Sequence, residues 1–260
     1  LTVEGTVKAN GNYAIAGNGS KTAGNIDSCD ITVNDGAVIS APNGIAIYHP
    51  ELGTVTVNGG TISGHTGIEL CAGKLVVSGG SITSTGDNWD ATGSQNAILD
   101  GAAISIINRN YPGGVPTAEI TGGTIKATGT GLTVKAYDYT NNAVTDWTDA
   151  GTNVNISGGT FSSIPNNMDA LCADGFTPVA NSNGTYTVVE EATSVVASIG
   201  TKKFASLEAA VAAATDDDTI TLLDNVDLTE TLIVRDKTIT LDLNGKTISN
   251  STDIWNESIY

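Results

Sequence analysis

Hydrophobic and polar residues alternate through "VTVNGGTISG" from position 55 until two adjacent glycines interrupt them. The figure returns in "LVVSGGSITS" from 75, "AEITGGTIKA" from 118 and "VNISGGTFSS" from 154, with looser copies in "ITVNDGAVIS" from 31 and "LTVEGTVKAN" from 1. Alternation with period two predicts short strands, and it places Val55, Val57 and Ile62 on one face. Leu75, Val77 and Ile82 repeat that set, as do Ala118, Ile120 and Ile125, then Val154, Ile156 and Phe161. A second alternating stretch follows the glycines in "GIAIY" from 44, "GIELC" from 67, "GAAISI" from 101 and "GLTVK" from 131.

The second glycines are Gly36, Gly60, Gly80, Gly123 and Gly159, and the first two intervals are 24 and 20 residues. A period of that size signals a stacked repeat. Equivalent strands stacked about 4.8 Å apart would bury their apolar columns continuously. The expected fold class is therefore all-β: a right-handed parallel β-helix, a solenoid of about 22 residues per rung. Its hand follows from the general rule for parallel crossovers. The paired glycines are read as corners, where positive φ or close backbone approach excludes a side chain. Asn58, Ser78, Thr121 and Ser157, just before them, are placed to hydrogen-bond along one edge.

Two intervals are too long, 43 residues from Gly80 to Gly123 and 36 from Gly123 to Gly159. The surplus predicts inserted loops near 84–100 and 137–152, with a smaller excess at "NRNYPGGVPT". Trp89, Tyr111, Tyr137, Tyr139 and Trp147 lie in these stretches, five of thirteen aromatic residues in the chain, beside Asp87, Asp90, Asp138, Asp146 and Asp149. Tyr48, His49, Arg109, Tyr111 and Tyr137 each follow the second strand of a repeat, which predicts that they line one edge. The candidate ligand-binding residues are Tyr48, His49, Trp89, Arg109, Tyr111, Tyr137, Tyr139 and Trp147, because rigid aromatics stack on sugars or anchor protein interfaces. The bland alternative is that these rings fold down to pin their own loops.

Charge narrows the partners. The chain of 260 residues has 28 acidic and 11 basic side chains, a net charge of −17. Phosphate binding needs a basic stripe, so nucleic acid is excluded as the expected partner. No apolar run reaches membrane-spanning length, so direct membrane insertion is not expected. The chain begins inside a repeat and reads as a fragment of a longer protein acting as a monomer. Cys29, Cys71 and Cys172 match no zinc spacing and read as space-filling thiols. No cofactor is expected, and Asp138, Asp146 and Asp149 read as a solvated loop, with structural Ca²⁺ as the alternative.

Beyond position 164 the pattern changes. "PNNMDALC" predicts a short helix and "GFTPVANSNGTYTVV" a hairpin about Asn183-Gly184, together a cap over 165–190. A linker "EEATS" leads to "KKFASLEAAVAAATDDD", whose Phe204, Leu207, Ala210 and Val211 recur at helical spacing. Strand-like runs follow, so 191–260 is read as the helix-capped start of a second β-helix after a first over 1–164.

"SLEAAVAAATDDDTITLLDNVDLTETLIVRDKTITLDLNGKTIS" resembles the opening of β-helix repeat domains in large adhesin-like surface proteins of gut Firmicutes. "GGTFSSIPNNMDALCADGFTPVANSNGTYTV" is similar to the closing segment of such domains. The resemblance implies a bacterial cell-surface or secreted protein without catalytic activity. It also implies candidate partners: a host protein, immunoglobulin included, or a mucin-type host glycan. A structural spacer is the alternative function, and a polysaccharide lyase or glycoside hydrolase stands behind it. The enzyme reading needs acids on neighbouring rungs with a suitable base. Outward positions such as Thr56, Thr61 and Ser63 carry hydroxyls instead, and the only arginines are Arg109 and Arg235.

Overall fold

A computed structural model of the chain describes residues 1–19, 27–89, 97–165, 167–191 and 195–251. Its internal contacts divide the chain into two compact units, Leu1–Asp174 and Gly175–Tyr260. Part of the first predicted insertion (90–96, with Asp90), most of the predicted linker (192–194) and the last residues of the chain (252–260) lie outside the described residues.

The first unit stacks three parallel ladders. In the first, the strands Thr2–Val3, Ile31–Val33, Thr54–Val57, Lys74–Val77, Thr117–Ile120 and Val154–Ile156 follow one another edge to edge. Val3, Val33, Val57, Val77, Ile120 and Ile156 share one register column. All six are buried. The second ladder runs from Thr6–Lys8 through the leading parts of Val38–His49 and Thr61–Leu70 to Ser81–Ser84, Thr124–Ala127 and Thr160–Phe161. Ile39, Ile62, Ile82, Ile125 and Phe161 form its inner column, at most 1 % exposed. Complete burial of each such side chain contributes about 1.5–3 kcal/mol, so these columns hold the unit together.

The third ladder takes the trailing parts of Val38–His49 and Thr61–Leu70, which cross into it past a register shift between Ala41 and Ile45. Tyr13–Ala16, Ile104–Asn108 and Val134–Thr140 complete it in parallel. Ile47, Ile68, Ile104 and Val134 point inward and are at most 1 % exposed. Alternation then turns Tyr48, Glu69, Ser105 and Lys135 outward in the neighbouring column.

The glycine pairs occupy the corner between the first and second ladders, and the two glycines have different tasks. Gly80 has φ of +77°, a left-handed conformation that a side chain resists, and its four equivalents lie between +75° and +96°. A Cβ on Gly79 would land on the carbonyl oxygen of Asn58 in the preceding repeat. One glycine turns the chain and the other lets the repeats close up. Beside them Asn58 Nδ2 donates to Asn34 Oδ1 at 3.1 Å and Ser78 Oγ donates to Asn58 Oδ1 at 3.4 Å.

The second unit is a smaller mixed structure. Phe176–Ala180 and Tyr186–Glu190 pair antiparallel about Gly184, whose φ is +82°. Ala197–Ile199 pairs antiparallel with both Lys202–Phe204 and Thr219–Leu222, and Thr219–Leu222 pairs in parallel with Thr240–Asp242. The helix Leu207–Ala213 begins at Ser206, whose side chain accepts from the Ala209 amide at 3.1 Å and so satisfies one free helix-start donor. Phe204, Leu207, Ala210, Val211, Ile220, Leu222, Leu228 and Leu232 form its core.

These pairings correct the expected fold class. The chain is rich in strand, but it is not the right-handed parallel β-helix solenoid of about 22 residues per rung, followed by the start of another, that its repeats predicted. Its sheets are mixed, and helices interrupt them. The physical reason lies in short turns that reverse the chain. Val134–Thr140 folds back onto Ala143–Thr145 through Asn141 and Asn142, with φ of +53° and +58°. Two consecutive positive-φ residues make the tight turn that joins antiparallel strands. Gly200, at φ +57°, serves the reversal between Ala197–Ile199 and Lys202–Phe204. Period-two alternation marks a strand and its faces but carries no sign of its direction.

Candidate functional site

The outward face of the third ladder carries most of the unusual chemistry in the first unit. Tyr48, Glu69, Ser105 and Lys135 stand side by side there, and Ile107 and Tyr137 are register partners in the next outward column. Two insertions cover this face. Residues 97–101 lie across it and bring Ile98 and Asp100, both fully buried. The turn after Asn108 brings Arg109 and Tyr111, and is closed by the Gly114 amide donating to the Tyr111 carbonyl at 2.9 Å.

A polar cluster is thereby sealed against the sheet. Glu69 Oε2 accepts from the Ile98 amide at 2.7 Å, while the Cys71 thiol donates to Oε1 at 3.3 Å. The Arg109 guanidinium, 4 % exposed, lies 3.8 Å from Glu69 Oε1. Asp100 Oδ2 accepts from Ser105 Oγ at 2.6 Å and from the Tyr137 hydroxyl at 3.1 Å. Its Oδ1 accepts from the Ala102 amide at 3.0 Å, and the Gly101 amide donates to Thr66 Oγ1 at 3.1 Å. Burial first, and then the negative charge of Asp100, push the Glu69 carboxyl up to about 8. The Ile98 amide, Arg109 and Cys71 oppose that rise without overcoming it. Burial likewise pushes the Cys71 thiol well up, with Glu69 adding to it.

Tyrosines surround the cluster. Tyr13 and Tyr48 stack with centroids 5.3 Å apart, and the Tyr48 and Tyr111 hydroxyls are 3.5 Å apart. Arg109 sits 5.0 Å from the Tyr139 ring centroid and 5.5 Å from that of Tyr111, within cation–π range of both. Tyr13, Tyr48 and Tyr111 are half-buried, whereas Tyr137 and Tyr139 are each 3 % exposed. Gly113 packs its backbone beside Leu52 and Ala72, setting the Tyr111 turn against the sheet edge.

Of the residues singled out from the sequence, Tyr48, Arg109, Tyr111, Tyr137 and Tyr139 converge on this face. His49 does not. It shares the inward column of Leu70, is fully buried, and places Nδ1 3.3 Å from the Ala72 carbonyl and Nε2 2.9 Å from the Cys29 carbonyl. Trp147 is buried in the turn before the helix Ala150–Asn153. Trp89 is 48 % exposed, and its carbonyl accepts from Lys135 Nζ at 3.1 Å.

Sequence reasoning missed Tyr13, Glu69, Cys71 and Asp100. Glu69 did carry a signal, being an acid at an outward position of a strand whose equivalents are Tyr48 and Ser105. Among the described residues no group of three or more His, Cys, Asp or Glu side chains is placed to hold a metal, and Asp138 instead accepts from Asn108 Nδ2 at 2.7 Å. Cys29 and Cys71 are free thiols, and no described helix is long and apolar enough to cross a membrane. No protein-family model matches the chain, and no curated protein or solved structure matches it either.

Proposed function

We propose that this chain is a non-catalytic recognition module of a large adhesin-like protein, secreted or carried on a bacterial cell surface, that holds a host macromolecule on a ledge formed by Tyr13, Tyr48 and Tyr111. The observation that carries this reading is the support beneath the ledge. Three half-exposed rings are fixed by stacking, by a hydroxyl contact and by a buried guanidinium. Aromatic rings held rigid before binding lose little conformational entropy on contact, which is why such residues dominate interface energetics. Glu69 and Asp100 are fully buried and satisfy backbone and side-chain donors within the fold, which favours recognition over catalysis. The broad sheet edge suits a protein ligand, with immunoglobulin the first candidate and a mucin-type glycan the second.

A spacer role is favoured by a different observation: Arg109, Tyr137, Tyr139 and Trp147 are buried within the fold rather than presented to a ligand. The test is a pull-down of human immunoglobulin and of mucin, with the native chain and with Tyr48→Ala/Tyr111→Ala. Saturable binding to either ligand, reduced at least tenfold in the variant while β-type circular dichroism persists, supports the recognition reading. Binding to neither ligand, or binding unchanged by the substitutions, leaves the spacer.

A further inference from the structure

The buried cluster has a property that neither ligand binding nor simple packing requires. With its proton on, Glu69 is neutral, and Asp100 and Arg109 balance one another. With the proton off, two carboxylates face one guanidinium in a space where none of the three is more than 4 % exposed. Buried charge of one sign is costly unless water can reach it. The cheapest route for water is residues 97–101, because among the described residues this segment belongs to no strand and is held chiefly through side chains, with one long backbone bond from the Trp89 amide to the Asp100 carbonyl at 3.4 Å. Ile98 is tied to Glu69, Asp100 to Ser105 and Tyr137, and Gly101 to Thr66.

We propose that residues 97–101 are a pH-operated latch over the outer face of the third ladder, shut while the Glu69, Asp100 and Arg109 cluster is charge-balanced and opened when the cluster carries excess negative charge.

The groups packed around Glu69 are acidic or neutral except for Arg109, and burial with the Asp100 charge outweighs Arg109, the Ile98 amide and the Cys71 thiol. From the end of its own strand comes the Cys71 thiol, from the latch Asp100, from the adjacent strand Tyr48 and from the strand beyond it Tyr13, and from the covering turn Tyr111 and Arg109. Arg109 is the single cation among them. Lys135, next in the outward column, is turned to Asn88 Oδ1 at 3.2 Å and to the Trp89 carbonyl. It lies 5.1 Å from the Tyr137 ring centroid.

The direction follows from proton linkage. The shut state holds Glu69 raised to about 8, whereas in the open, hydrated state the group returns toward its ordinary value of 4.5. Opening therefore releases a proton. It is unfavourable below about pH 4.5, becomes easier as pH rises, and gains nothing further above about pH 8. Between those limits the opening equilibrium shifts by up to about tenfold per pH unit for one proton.

The experiment is amide exchange across the intact chain between pH 5 and pH 9, corrected for the intrinsic pH dependence of exchange and read at Ile98 and Gly101. Protection at both amides should fall by up to about tenfold per pH unit and level off near pH 8, while Ile68 and Ile104 in the ladder stay protected. Glu69→Gln keeps the shape and one acceptor oxygen, enough for the Ile98 amide, without the charge, so its latch should stay shut at every pH. Asp100→Asn removes the second carboxylate and should also flatten the profile, which keeps the test decisive if either variant folds poorly. A flat profile in the native chain overturns the proposal, as does a pH-dependent one that survives in Glu69→Gln.

Discussion

The glycine corner and the outer face of the third ladder solve opposite problems within the first unit. At the corner the chain repeats one backbone solution: a glycine that admits the preceding repeat, then a glycine in the left-handed region. Its polar side chains bond to their own equivalents, Asn58 to Asn34 and Ser78 to Asn58. The outer face repeats nothing. Tyr48, Glu69, Ser105 and Lys135 occupy equivalent places on four strands, and residues from two insertions complete the set. The corner depends on what is absent from each residue. The face depends on charges and hydroxyls that water no longer solvates. A repeat can therefore spread its corner by copying it, whereas each member of a buried polar network must be present before the others are tolerable.

The largest effect should come from breaking the corner. Gly80→Val places a β-branched side chain at φ +77°, with its Cβ 2.6 Å from the Gly59 carbonyl oxygen. Both the conformation and the contact oppose it, and neither can relax without moving the neighbouring repeat. A loss of about 3–5 kcal/mol is expected, measured by urea denaturation. A loss below about 1 kcal/mol would show that the corner bends freely and that the glycines are not needed for stacking.

A smaller and more local effect tests the face. Tyr137→Phe removes the hydroxyl that donates to Asp100 Oδ2 at 3.1 Å, but the same oxygen still accepts from Ser105 at 2.6 Å. The ring and its contact with Lys135 remain. The expected loss is about 1.5–3 kcal/mol, the worth of one hydrogen bond to a charged group, toward the low end because Ser105 still serves the same oxygen. If the loss approaches that of Gly80→Val, the network acts as one unit and cannot be apportioned bond by bond. If stability does not change, Tyr137 holds its place by packing alone.

The same contrast separates what the sequence reveals from what it conceals. Strand positions and their inward columns, such as Ile62, Ile82 and Ile125, are legible because burial on one face imposes a period of two. The corners are legible because only glycine suits them. Strand direction is not: Asn141-Asn142 reverses the chain within a stretch that otherwise reads as an inserted loop. Arg109, Tyr111, Tyr137 and Tyr139 can be placed on one edge from their offsets, but their depth depends on which segment covers them. That segment carries Ile98 and Asp100, which reach Glu69 and Ser105 through side chains with no periodic relation to either. Contacts of this kind leave no pattern in a single sequence.

The smallest effect should come from the side chains that decorate the corner. Asn58→Ala removes a 3.1 Å bond to Asn34 and the 3.4 Å acceptor for Ser78, both at exposed positions where water replaces them. The contact that excludes a side chain at Gly79 involves the Asn58 carbonyl, which the substitution retains. A loss of about 0.5 kcal/mol is expected by the same denaturation measurement. The outcome ranks the two components of the corner directly. A cost near that of Gly80→Val would mean that the stacked amides, not the paired glycines, hold successive repeats in register. A cost of a few tenths would leave the polar column as a consequence of the stacking that the glycines permit.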